Sequence, residues 1–119
     1  IEGEFQGIVN YGVIGQIQLE QPGNPYADLP VEEVDKLYTR HIAAVEEVML
    51  AKNHDYGEAW RDMSQESFTD LILTKLQRIK QILRNQSKTL ISEGIDANYV
   101  DIINYALFAL IKISESKTR

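Results

Sequence analysis

A chain of 119 residues, 44% of them hydrophobic and 25% charged, can bury a core of its own, which excludes wholesale disorder. A net charge of −6 excludes a surface built to coat nucleic acid, so no direct nucleic-acid partner is expected. The lack of cysteine excludes disulfides and thiolate metal sites, and no apolar run reaches membrane-spanning length, so no membrane partner is expected and the cytoplasm is the expected compartment.

Residues 1–20 can be read two ways. Val9, Tyr11 and Val13 alternate as in a strand, and Gly7, Gly12 and Gly15 each lower helix propensity by about 1 kcal/mol relative to Ala. A second observation decides for a helix. Ile8–Ile17 aligns without gaps on Ile102–Ile111, sharing an Asn-Tyr pair, and Phe5 and Glu2 fall on Tyr99 and Asp96. The later copy, 96–116, is too long and too uniformly apolar for a half-buried strand. Self-similarity of this kind marks tandem units. Residues 1–20 are therefore expected to be the last helix of a preceding repeat copy, and a chain that opens on Ile1 in place of Met fits that expectation. Gly12 and Gly15 stand at the Ala106 and Ala109 positions, which suits a close helix–helix contact.

Residues 21–30 read as a linker, since Pro22, Gly23, Asn24 and Pro25 cannot continue a helix. The remainder, 31–119, reads as one all-α domain. Asp28 can cap its first helix, with Pro30 in the first turn, and an apolar stripe from Val34 to Met49 carries that helix to about Lys52. Gly57 interrupts, and 58–63 fits a short turn. Ser67-Phe68-Thr69-Asp70 resembles a capping box that opens a helix with Phe68, Leu71, Ile72, Ile79, Ile82 and Leu83 on its apolar face. Residues 85–93 read as a polar loop, Gly94 as a turn and Asp96 as the cap of the last helix. That helix is apolar almost all round, which marks it as central or as an oligomer contact. The expected fold is a bundle of three long helices plus the extra N-terminal one.

Three places concentrate chemistry. Around Gly57, the stretch from Lys52 to Trp60 carries a cation, an amide, an imidazole, a carboxylate and two aromatics, more than a surface turn needs. Tyr56 and Trp60 suit stacking on a base or simple packing. Lys75 and Arg78, three apart on one helix, suit either a phosphate or an ordinary solvated face. Asp101 and Asn104 share a face of the apolar last helix, where a buried carboxylate needs a cation or a metal; a wetter first turn would remove that need. Asp70 suits a metal ligand less well than a cap. His41 fits the core, Glu46 and Glu47 the outer face of their helix, and His54 a bystander role in the loop.

Taken in order, Lys52-Asn53-x-Asp55-Tyr56-Gly57, Lys75-x-x-Arg78 and Glu93-Gly94-Ile95 followed by Asp101-Ile102-x-Asn104-Tyr105-Ala106 resemble the bacterial and phage family called nucleotide modification associated domain 1. The resemblance covers about residues 31–115 and extends to the tandem arrangement of some members. It implies an all-α fold related to MazG-like nucleotide pyrophosphohydrolases, and a role in nucleotide metabolism or DNA base modification. MazG-like enzymes hold magnesium with Glu-x-x-Glu and Glu-x-x-Asp pairs. Here the second pair has become Asp101-x-x-Asn104 and the first is missing, so a rearranged site is implied, with Asp55, Asp70, Glu93 and Asp101 as metal ligands.

Two functions follow as expectations. In the first, the domain is a magnesium-dependent nucleoside triphosphate pyrophosphohydrolase. Lys52, Asn53, Tyr56, Trp60, Lys75, Arg78 and Asn104 would contact the nucleotide. In the second, it is a non-catalytic helical module that binds a nucleotide or a protein partner. A homo-oligomer is expected in either case, because few helices are available to cover the apolar last one.

Overall fold

Four helices account for almost all of the described residues. The computed structural model describes residues 2–20, 30–56, 59–85 and 88–117, as backbone alone at 52–56, 85 and 88–93. Helix α1 spans Glu2–Glu20, α2 Val31–Tyr56, α3 Gln65–Asn85 and α4 Lys88–Lys117, with a 3-10 turn at Ala59–Asp62 between α2 and α3. Among the described residues there is no strand, and the fold is the all-α bundle expected from the sequence.

The core is organised around α4, where Ile95, Ile102, Ile103, Ala106, Phe108 and Ala109 are buried. Helices α1 and α3 pack along it, while α2 and the 3-10 turn touch it less extensively. Both principal packings are antiparallel. On one side Gly12 faces Ile103, Gly15 faces Tyr99, and Gln16 Nε2 donates to Asp96 Oδ1 at 3.1 Å. An ion pair between Lys117 and Glu2 joins the far ends of the two helices. On the other side Lys75 meets Asp101, and Ile82 lies against Gly94. Helix α2 crosses α1, with Tyr38 donating to Asn10 Oδ1 at 2.6 Å and both Arg40 and His41 reaching Glu20.

The strand-like alternation of α1 is resolved by burial. Phe5, Val9, Val13 and Ile17 are buried with a helical period, and Tyr11 points outward. A methyl group at Gly12 would stand 2.7 Å from Ile103 Cγ1, and one at Gly15 would stand 2.7 Å from Tyr99 Cζ. The glycines thus lose helix propensity and gain the close approach that seats α1 on α4.

Several boundaries differ from the sequence expectations. Helix α2 runs to Tyr56, beyond the expected end near Lys52. Its first turn follows Pro30, whose carbonyl accepts from the Glu33 and Val34 amides at 3.0 Å each. Asp28 and the rest of the linker, 21–29, lie outside the described residues. Helix α3 opens at Gln65, and its cap is Ser64, whose hydroxyl accepts from the Ser67 amide at 3.1 Å. Asp70 has no capping part. Ser64 wins because it follows directly on the 3-10 turn, which the Met63 amide closes onto the Trp60 carbonyl.

The expected loop at 85–93 is also corrected: α4 begins at Lys88, so Gly94 and Asp96 are interior helix residues. Polar composition at 88–93 does not break the helix, and 86–87 lie outside the described residues. Gly94 admits Ile82, whose Cδ1 would stand 3.1 Å from an added methyl, and Asn98 Nδ2 bonds the Gly94 carbonyl at 2.7 Å. Of the apolar face expected for α3, Leu83 is exposed. No described helix is long and apolar enough to cross a membrane.

Substitution of two glycines tests the close approach. Gly7→Ala, where nothing lies within 4 Å of the new methyl, should stabilise the fold by roughly 0.5–1 kcal/mol in urea denaturation. Gly15→Ala should instead lower stability by about 1–3 kcal/mol, since the Tyr99 ring must move. Equal effects at the two positions would contradict a packing role for Gly15.

Candidate functional site

Among the described residues, Lys75 and Asp101 form the best-sheltered lysine or arginine ion pair. Lys75 projects from the third turn of α3 and Asp101 from the middle of α4, and Nζ stands 2.9 Å from Oδ2. Their side chains are 15% and 24% exposed, against 40% or more for both groups of the Arg61–Glu115 and Arg40–Glu20 bridges. The carboxylate expected to need a cation has one. It is one of the two lysine and arginine side chains that the sequence offered as a phosphate grip. The other, Arg78, is exposed one turn along α3.

Asn104 lies one turn after Asp101 and is almost wholly buried. Neither its Nδ2 nor its Oδ1 finds a hydrogen-bond partner among the described residues. A buried amide left this way costs about 1–3 kcal/mol, so the position calls for a polar partner. Asn10, its counterpart in α1, is exposed and accepts from Tyr38.

One turn further on, Phe108 stacks on Trp60, with ring centroids 4.7 Å apart and planes 14° from parallel. The Arg61 guanidinium also sits against the Trp60 ring, 4.6 Å from its centroid, and Arg61 Nη1 bonds Glu115 Oε1 at 2.6 Å. Trp60 is therefore a core residue that pins the 3-10 turn to α4. Lys112 adds a hydrogen bond to the Met63 carbonyl at the same junction. Covalent geometry then keeps the backbone of Tyr56 within about 14 Å of that of Trp60.

The other proposed residues are placed as follows. Lys52, Asn53, Asp55 and Tyr56 form the last turn of α2, and Glu93 lies in the early part of α4; their side chains lie outside the described residues. Asp70 is exposed and borders a surface cavity of about 600 Å³ with Glu4, Phe5, Ile8, Glu66 and Thr69, apart from Asp101. No three His, Cys, Asp or Glu side chains cluster among the described residues. His41 is half-buried with Nε2 3.1 Å from Glu20 Oε1, and Glu46 and Glu47 are exposed.

The sequence profile of nucleotide modification associated domain 1 matches residues 52–113. The chain belongs to that family. Neither a curated protein nor a solved structure matches the chain. The matched span of this nucleotide modification associated domain opens at the last turn of α2 and closes near the end of α4, inside the 31–115 expected from its motifs. It contains the 52–56 turn, the Lys75–Asp101 pair and Asn104. The pairing of Lys75 with Asp101 was missed from sequence, although the demand of a sheltered carboxylate for a cation was the signal that could have found it.

A double-mutant cycle measures the pair. Asp101→Leu alone should destabilise the domain by about 1–3 kcal/mol, nearer the lower figure because solvent screens part of the charge. Lys75→Met with Asp101→Leu should recover most of that loss, because no buried charge is left without a partner. Additive losses would show that the two groups do not interact.

Proposed function

We propose that this nucleotide modification associated domain binds a nucleotide on the face of α4 that carries Asp101 and Asn104. The observation that supports this most is the buried amide of Asn104, without a partner among the described residues, one turn from the Lys75–Asp101 pair and inside the family-matched span. In this reading Asn104 hydrogen-bonds the ligand, whose phosphates meet Arg78 and Lys52. Lys75 shares its charge between Asp101 and the phosphates. Asn53 and Tyr56, at the end of α2, meet the sugar or base, and Trp60 holds the turn that carries them.

The finer form of the proposal is hydrolysis of a nucleoside triphosphate to a monophosphate and pyrophosphate. Magnesium would neutralise phosphate charge there, held by oxygen ligands. The described residues do not make such a set by themselves, because Asp101 is paired with an ammonium and Asp70 stands apart from it. Asp55 and Glu93 are the carboxylates that would have to complete it. The pairing of Asp101 supports a second reading, a module that binds nucleotide without turning it over.

Thermal shift assays with a panel of ribo- and deoxyribonucleoside triphosphates, with and without magnesium, test the binding. At a ligand concentration a hundred times Kd the stabilisation should be about 2.7 kcal/mol. Asn104→Leu should keep or raise the melting temperature of the free protein, since it replaces an unpartnered amide with an apolar group of similar size, yet abolish the ligand shift. Chromatography of the same mixtures separates the two readings: pyrophosphate release supports the enzyme, and a shift without product supports the module. No shift with any nucleotide would sink both.

A further inference from the structure

The α1–α4 contact is its own mirror in sequence. Ile8–Ile17 aligns on Ile102–Ile111, so Gly12 corresponds to Ala106 and Ile103 to Val9. Gly12 packs on Ile103, and the antiparallel register then sets Val9 opposite Ala106, both buried. Exchanging the two helices exchanges the two contacts. They are related by a local two-fold axis, as two equivalent helices in a symmetric pair would be.

That symmetry identifies an uncovered surface. The face of α4 bearing Asp101, Ile102 and Tyr105 is where α3 lies, through the Lys75–Asp101 pair and the Ile82–Gly94 contact. The corresponding residues of α1 are Gly7, Ile8 and Tyr11, of which the first two are only half-buried and the third is exposed. They border an open, largely apolar groove of about 570 Å³ whose other walls include Leu73, Leu76, Tyr99 and Ile102. Tyr11 is 76% exposed. Ile14, which corresponds to the stacked Phe108, is also exposed.

Helix α3 presents a matching edge to the groove. Thr69, Leu73, Leu76, Lys80 and Leu83 recur at alternating steps of four and three, the spacing of a helix–helix seam, and all three leucines are exposed. The outward face beyond that edge, Asp70, Thr74, Gln77 and Gln81, is polar and exposed, so the edge suits a neighbour lying beside α3 rather than one above it.

We propose that the groove seats the α3 helix of a second α2–α3 unit joined ahead of α1 in the same polypeptide, with α1 serving that unit as its α4. The two α3 helices then lie antiparallel across the local axis, Leu73 against Leu73. Two units share one four-helix centre.

Because the chain lacks cysteine, Tyr11→Cys gives a single thiol whose reaction with a disulfide reagent reports coverage of the groove. In the 119-residue chain this thiol should react at the rate of an exposed cysteine. A chimera with residues 31–94 placed directly ahead of Ile1 continues the helical register, since Ile1 corresponds to Ile95. In the chimera the thiol should react at least about tenfold more slowly. Leu73→Lys with Leu76→Lys in both units should restore the fast rate. Should the chimera not fold, a synthetic peptide of residues 65–85 added to the full chain decides, with saturable protection expected and none from the Leu73→Lys, Leu76→Lys peptide. An unprotected thiol in a folded chimera overturns the proposal, as does a peptide that fails to protect when the chimera is unfolded. So does protection that arises from self-association of the 119-residue chain alone, which would make a whole second chain the occupant.

Discussion

Helix α4 has almost no polar face to give to water, and the rest of the bundle is arranged to cover it. Exposed alone, its isoleucines, leucines and phenylalanine would each forfeit about 1.5–3 kcal/mol of burial. Helix α3 covers one side through Phe68, Ile72 and Ile79, and α1 covers another through Phe5, Val9 and Val13. The Trp60–Phe108 stack closes the end where α2 turns back towards α3. Each covering element approaches as far as its residues allow. Two glycines on α1 bring backbone close to Ile103 and Tyr99, and Gly94 on α4 does the same for Ile82.

The helices were legible where a pattern repeats, and their ends were misread where two local signals compete. The 3.6 period of α2 and α3 located both. The self-alignment identified α1 as a helix against its strand-like alternation, because a copy of the same pattern sits in a segment too long for a strand. The cap of α3 was misassigned because Ser64 and Ser67 each have an acceptable partner three residues on, and only the docked 3-10 turn selects the first. The start of α4 was missed because Lys, Thr, Ser, Glu and Gly describe a solvated helical turn as well as a loop. Deciding between them needs the contact of Ile82 with Gly94, and that contact is tertiary.

Candidate residues could be named from the sequence, but not how they are arranged. Sheltering a carboxylate on an apolar helix requires a counter-charge, and that argument alone pointed from Asp101 to a cation or a metal. Which cation it is depends on how α3 lies against α4. The antiparallel packing puts Lys75, and not Arg78, beside Asp101. The consequence is chemical. A carboxylate already bonded to an ammonium is a poorer magnesium ligand than a bare one, and under the proposed function a phosphate would have to compete for the ammonium. Under that proposal both effects favour recognition over hydrolysis.

The symmetry of α1 and α4 carries this further. The helices share their Asn-Tyr pair, yet Gly7 replaces Asp101 in α1, and Asn10 is exposed and bonded to Tyr38 where Asn104 is buried and lacks a partner among the described residues. An amide in the same helical position is therefore paired with α2 in one helix and without a partner among the described residues in the other. In the proposed two-unit arrangement, an α3 seated over α1 would bring its lysine to a glycine, with no carboxylate to hold it. The two halves would be alike in packing and unlike in charge. A shared apolar centre would hold both helices to their small residues and apolar stripes, and would leave their polar faces free to differ.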